Sequence, residues 1–293
     1  MVSIQLSYFN CDGMLNTEKL QPKIKNMQYK MLVLDMDDTL LTDDHKISDL
    51  NKKAILEAQA KGVYVVLASG RPTIAMIEYA KELELDVNDS YIISFNGAII
   101  TRVKENLDFF EQKLTVEQIH DLYDYSVKMK TDIITYLDNE IISETDSEYI
   151  EVEKEITKMA HRKVANFKEY VNRPSVKCIL LEEPAYLKQV EGDLKQAMPH
   201  LSVAMSKPFF LEAAQQGIDK AASLNLLAEK LGIHQSEIIA VGNAGNDLTM
   251  IEYAGLGVWV DNVTPELRDK ADVIVASNNN DGVAEVVQKY ILN

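Results

Sequence analysis

Short apolar runs alternate with stretches of helical period along most of this chain. Met31-Leu32-Val33-Leu34 is a continuous apolar run, the pattern of a strand buried on both faces of a parallel sheet. A helix is predicted from about Asp49, with Ser48 as its N-cap, to a stop at Gly62. Val63 to Ala68 then reads as a second buried strand, ending in Ser69-Gly70-Arg71-Pro72. A short helix and a third strand follow, Tyr91-Ile92-Ile93-Ser94-Phe95, running into Asn96-Gly97. Repeated strand–helix–strand units predict an α/β fold, a Rossmann-like, doubly wound parallel sheet with helices on both faces.

The texture changes near residue 105. Thr115 and Gln118 make a capping box for a helix to about Met129. Ile133–Leu137 and Glu140–Glu144 read as a hairpin turning at Asp138-Asn139. Further strands are predicted at Val176–Leu181 and Leu201–Met205, with a helix between them. This is α+β texture, and it predicts an inserted second domain over 106–207. Strand and helix alternate again after Pro208. A helix starts near Asp219-Lys220, and the strand Ile238–Val241 ends in Gly242-Asn243-Ala244-Gly245-Asn246-Asp247. Strands follow at Gly257–Val260 and Asp272–Ala276. The first domain is therefore discontinuous, 28–105 with 208–293. Residues 1–27 have no clear period and read as an extension.

Composition narrows the setting. The chain has 293 residues, a formal charge of −16, 46% hydrophobic and 26% charged residues. Such a balance argues against a nucleic-acid backbone as partner, because neutralising phosphates takes clustered Lys and Arg. No stretch approaches the apolar length of a membrane span, so no membrane role is expected. The N-terminus lacks the pattern of a signal peptide. Cys11 and Cys178 have no metal-type spacing and read as free thiols of a reducing compartment, so a cytoplasmic protein is expected.

Four segments carry candidate chemistry, each where a strand ends or a helix begins. Asp35 and Asp37 sit just past the first strand, where open α/β sheets bind ligands. One acid can attack while the other manages protons. Ser69-Gly70 offers a hydroxyl and a permissive backbone to an anion. Lys220 adds positive charge at a helix start. The loop 242–247 supplies oxygen ligands and amide donors. Each has a plainer reading alone: caps for Asp35, Ser69 and Asp247, a solvated Lys220, turn formers for Asn243 and Asn246. Together, in this order, they are the set that phosphoryl transfer needs.

These motifs resemble those of haloacid-dehalogenase-superfamily phosphatases of the Cof-type, subclass IIB, with a large α/β cap. The resemblance covers about residues 28–293. It rests on Asp35-Met36-Asp37-Asp38-Thr39, Leu67 to Pro72, Gly217-Ile218-Asp219-Lys220, Gly242 to Asp247 with Met250, and the late string Asn278 to Ala284. It implies a Mg²⁺-dependent phosphatase acting on a small phosphorylated metabolite, with sugar phosphates first. Asp35 would form an aspartyl-phosphate, and Asp37 would protonate the leaving alcohol and then activate water. Ser69, Lys220 and Asn246, with backbone amides near Met36 and Gly70, would hold the phosphoryl oxygens. Asp35, Asp37 (through its carbonyl), Asn243 and Asp247 would hold Mg²⁺. Residues 106–207 would be the cap that sets substrate choice, with Asn96-Gly97 near the hinge. A monomer or weak homo-oligomer is expected.

Two positions depart from the family pattern. Asn243 stands where Asp is usual, and Trp259 where a small residue is usual. The second is read as packing against the adjacent helix. Two alternatives follow: a phosphosugar mutase, which would need several cap arginines where only Arg162 and Arg173 occur, or a non-catalytic phospholigand-binding protein, motivated by Asn243.

Overall fold

A computed structural model describes residues 29–293. The extension 1–27 and Cys11 lie outside the described residues. Among the described residues fourteen strands form two sheets. They are β1 (Met31–Leu34), β2 (Tyr64–Ala68), β3 (Tyr91–Ser94), β4 (Ile99–Arg102), β5 (Leu107–Glu111), β6 (Asp132–Leu137), β7 (Glu140–Ser143), β8 (Ala160–Lys163), β9 (Lys177–Leu181), β10 (Leu201–Lys207), β11 (Phe210–Gln215), β12 (Ile238–Gly242), β13 (Leu256–Val260) and β14 (Val273–Val275). The larger sheet has the order β14-β13-β12-β1-β2-β3-β4-β5. Its strands run parallel from β14 to β3, and β4 and β5 add an antiparallel edge.

The apolar runs work as the pattern requires. Leu32 and Leu34 face one layer, under the helices Asp49–Ala60 and Gly282–Val287. Met31 and Val33 face the other, under Lys220–Leu231 and Leu248–Tyr253. Period-2 alternation with both faces apolar is what two covering helix layers demand. Ser48 caps its helix by accepting from the Asn51 amide, and Gly62 takes a left-handed φ of +83° just past its end. Trp259 is fully buried in the second layer, and its Nε1 donates to the Leu267 carbonyl at 2.8 Å. Its reading as a packing residue stands.

The smaller sheet has the order β10-β11-β9-β6-β7-β8. Its helix Val116–Met129 opens on the expected Thr115–Gln118 capping box. Asp138 and Asn139 both take positive φ, 53° and 61°, which turns β6 into β7. Cys178 is buried within β9, and burial pushes its thiol up to about 12.

The strand pairings move both seams predicted from texture. Leu107–Glu111 was expected in the inserted domain but pairs with β4 in the larger sheet. Phe210–Gln215 was expected in the larger domain but pairs with β9 and β10 in the smaller sheet. The crossings are tied together: Gln112 Nε2 donates to the Gln216 carbonyl, and Gln215 Nε2 to the Lys113 carbonyl. One face of the smaller sheet, carrying Ile134, Tyr136, Ile179 and Phe210, packs with Phe95, Ala98 and Ile99 of the larger domain. The two domains thus meet over the carboxyl end of β3.

Candidate active site

Strands β12, β1 and β2 are consecutive and parallel, so the loops at their carboxyl ends converge. The Asp35 amide still donates to Val241 of β12 at 3.0 Å, which fixes where the first loop leaves the sheet. Asp38 then takes φ 56°, and the Leu41 amide returns to the Met36 carbonyl at 2.9 Å. The loop is pinned from behind by the late asparagines. Asn262 donates to the Asp38 carbonyl, Asn278 to the Leu41 carbonyl and to Asp43, and Ser48 to Asp281. That gives the C-terminal string a concrete place: it braces the segment after Asp35.

Lys220 enters from a helix. Asp219 caps the helix Lys220–Leu231, so Lys220 is its first residue. The Asn96-Gly97 turn sets how close that helix comes. Gly97 has φ +110°, and a Cβ there would lie 2.4 Å from the Asp219 carbonyl oxygen. Only glycine allows both. Lys220 Nζ, fully buried, donates to Asp35 Oδ1 and Asp247 Oδ1, both at 2.6 Å. Thr39 Oγ1 donates to the other Asp35 oxygen at 2.9 Å. Burial, followed by the Asp247 charge, pushes the Asp35 carboxyl up to about 7 against the pull of Lys220 and Thr39. Burial acts to lower Lys220, but the two carboxylates outweigh it and hold the ammonium above its ordinary value.

Asp37 is gripped by Arg71, which the sequence motif gives no role of its own. Nε donates to Oδ2 at 2.8 Å and Nη2 to Oδ1 at 2.6 Å. Ser69 is buried. Its oxygen accepts from the Arg71 amide at 3.1 Å, and its hydroxyl hydrogen has no acceptor among the described residues. The Gly70 amide likewise has none there, and Gly70 lines the cavity. Asn246 is exposed at the rim and donates to Asn96 at 3.2 Å.

Asp35, Asp37, Ser69, Gly70, Asn243 and Asn246 line one cavity of ≈ 320 Å³. Met36 does not line it, and its side chain is in the core. Asp247 stands apart from the other expected metal ligands. Like Lys220, it is fully buried and does not line the cavity. One oxygen takes Lys220, and the other accepts from the Asn243 and Ala244 amides at 3.0 and 3.1 Å. Its place is that of an orienting partner for Lys220.

The donors left for a metal are the Asp35 carboxylate, the Asp37 carbonyl and the Asn243 amide oxygen. The Asn243 side chain has no hydrogen-bond partner among the described residues. These are hard oxygens, the set that suits Mg²⁺ with retained waters. Only one carboxylate is among them, in keeping with the lack of any metal-holding group of three His, Cys, Asp or Glu among the described residues.

The opposite wall belongs to the smaller domain: Tyr136, Glu153, Lys177, Lys207, Phe210 and Glu212. Sequence reasoning did not pick these out. They are scattered over five elements, and only the register of the smaller sheet aims Tyr136, Lys177 and Glu212 at one space. Among the described residues no helix is long and apolar enough to cross a membrane.

The family model for haloacid dehalogenase-like hydrolases matches residues 32–287. The chain is 32% identical over 275 residues to the 5-amino-6-(5-phospho-D-ribitylamino)uracil phosphatase YcsE of Bacillus subtilis, covering 92% of this chain and 98% of that one. A haloacid dehalogenase-like hydrolase from Bacteroides thetaiotaomicron superposes with a TM-score of 0.84 at 35% identity, covering 89% of this chain and 99% of the other. The protein TM0651 of Thermotoga maritima superposes with a TM-score of 0.81 at 28% identity, over 89% and 97%.

Proposed function

Because the chain belongs to the haloacid dehalogenase-like hydrolase family, we propose that its inter-domain cavity hydrolyses phosphate monoesters of small metabolites, with Asp35 as nucleophile. The observation that carries this is Asp35 itself. It is a buried carboxylate at a strand end, held by Lys220 at 2.6 Å and Thr39 at 2.9 Å, and the Ser69 and Gly70 donors on the same cavity have no acceptor among the described residues.

An Asp35 oxygen attacks phosphorus while the ester P–O bond breaks. Asp37 gives the leaving oxygen its proton. Asp37 then takes a proton from water, which attacks the aspartyl-phosphate and releases phosphate with the Asp35 carboxylate restored. Both transfers require Arg71 to yield one Asp37 oxygen. Ser69, the Gly70 amide and Lys220 face the charge on the transferring group. Asp247 keeps Lys220 aimed at Asp35. A bound Mg²⁺ supplies positive charge that offsets the approach of an anionic nucleophile to an anionic phosphate; Asp35, the Asp37 carbonyl and Asn243 would hold it.

The cavity is at the small end of ligand sites, which favours metabolites over polymers. A relative acts on a phosphorylated ribityl compound by its name, so phosphates of sugars and polyols are the first candidates. The mutase reading, which calls for several cap arginines, gains no support from the two present. Arg162 pairs with Glu140 and Arg173 with Asp138, and neither lines the cavity.

The test is phosphate release from a panel of phosphometabolites and an aryl phosphate, with Mg²⁺ and with chelator. Release that depends on Mg²⁺ is expected. Tight phospholigand binding without release favours the non-catalytic reading instead.

A further inference from the structure

Glu153 is a buried carboxyl in no ion pair among the described residues, with Lys177 the strongest charge acting on it. It is 5% exposed, lies on the helix Glu148–Thr157, and lines the cavity opposite Asp35. Its Oε1 accepts from the Tyr136 hydroxyl at 2.5 Å, while Oε2 has no donor among the described residues. Oε2 is not among the buried unpartnered atoms of the described residues, so on this cavity wall it stays open to solvent or to a ligand. A carboxyl of this kind on a cavity wall marks a site that expects a donor from a ligand.

The neighbours sharpen that expectation. Lys177 of β9 donates to Glu212 of β11 at 2.8 Å, so its charge is already answered. Its ammonium also lies about 6 Å from the rings of Phe95 and Tyr136, boxed in rather than free to reach. Lys207 is exposed and is the one cation of this wall without an ion-pair partner among the described residues. The wall thus presents two carboxylates, one answered ammonium, one exposed ammonium and no guanidinium. The apolar faces of Phe95, Phe210 and Ile156 complete it.

Building on the phosphatase reading, we propose that Glu153, set by Tyr136, is a specificity-determining residue that accepts a hydrogen bond from a hydroxyl or amine of the leaving group, and that this wall selects monophosphates with an uncharged or cationic leaving group against those with a second phosphate. A hydroxyl donating to Oε2 completes the Glu153 hydrogen bonding. A second phosphate seated on this wall would meet Glu153 and Glu212, with Lys207 as the wall's one cation not already ion-paired among the described residues. Sites that need a donor reject analogues lacking it far more strongly than apolar pockets reject extra bulk.

The test compares kcat/KM for sorbitol 6-phosphate, fructose 1,6-bisphosphate and phenyl phosphate, in wild type, Glu153→Gln and Tyr136→Phe. Wild type is expected to favour the sorbitol ester over the bisphosphate by about 10-fold or more. Glu153→Gln should lower kcat/KM for the sorbitol ester about 10- to 100-fold more than for phenyl phosphate, the worth of a hydrogen bond to a charged group. It should also narrow the gap to the bisphosphate. Tyr136→Phe should shift the same ratios in the same direction, and it carries the test if Glu153→Gln does not fold. Equal losses on all three substrates, or unchanged ratios in folded variants, overturn the proposal while leaving the phosphatase reading intact. No phosphate from any substrate with wild type overturns both.

Discussion

Arg71 holds both oxygens of Asp37, through Nε at 2.8 Å and Nη2 at 2.6 Å. The paired, planar geometry is one that lysine cannot reproduce. It places Asp37 beside the Ser69-Gly70 turn, since Arg71 is the next residue and its amide donates to Ser69. The side chain expected to move protons is therefore positioned by the same turn that presents phosphate donors.

Replacing the acid is the first prediction. Asp37→Asn keeps the shape but cannot give or take the proton. Turnover of an alkyl phosphate should fall about 10²–10⁴-fold, the usual worth of general acid–base catalysis. The loss should be smaller for nitrophenyl phosphate, whose leaving group needs little protonation. Steady-state kinetics on both esters check this. Equal losses would argue against Asp37 as the acid, unless hydrolysis of the aspartyl-phosphate limits both.

Asn243→Asp adds a carboxylate on the cavity where the side chain has no partner among the described residues. A hard dication prefers anionic oxygen, so Mg²⁺ should bind more tightly. The opposing effect is repulsion from Asp35, Asp37 and the incoming phosphate. Direct contact with the ion makes metal capture the larger effect. Calorimetric Mg²⁺ titration, alongside the Mg²⁺ dependence of turnover, should show the tighter site. Unchanged or weaker binding would mean that the present donors already saturate it.

Gly242→Ala tests the floor of the site. A Cβ there would lie 2.6 Å from Asp247 Cβ. Asp247 is fully buried and tied to Lys220 and two amides, so it cannot simply swing away. Overpacking of this kind costs about 1–3 kcal/mol. A lowered melting temperature and a larger fall in kcat than in KM are expected, since displacing Asp247 releases Lys220 from Asp35. A variant with wild-type melting and kinetics would show that this contact does not position Lys220.

Much of this was legible in the sequence because local chemistry and tertiary structure agree. The run Met31–Leu34 is apolar on both faces and is central, and Ser48, Thr115 with Gln118, and Asp138-Asn139 each make the cap or turn their side chains favour. The seams were not legible. Leu107–Glu111 is a mostly solvated edge strand, with Leu107 59% exposed, so no apolar pattern ties it to the larger sheet. Arg71 gave no signal because its partner lies 34 residues away. Glu153, Lys177 and Glu212 read as ordinary surface charges until the smaller sheet turns them to one cavity.

The pH dependence of stability follows from Asp35. In the metal-free protein its carboxyl is raised from 3.8 to about 7, chiefly by burial. A carboxyl raised by folding holds its proton more tightly in the native state. Its contribution to stability is full below the unfolded value and is lost as pH rises through the folded one. Asp35→Asn cannot ionise and escapes that loss. The melting temperature of the variant minus that of wild type, measured without metal, should therefore increase from about pH 4 to about pH 8. A flat difference would show that Lys220 already offsets the buried charge in full.

The most direct measurement is to catch the phosphoryl group on the protein. Wild-type protein turning over an aryl phosphate with Mg²⁺ is quenched in acid and reduced with borohydride, which converts an aspartyl-phosphate into homoserine. Peptide mass spectrometry should then find homoserine at position 35, and none in Asp35→Asn. Homoserine at another aspartate, or phosphate release with no modified residue at all, would contradict Asp35 as the nucleophile.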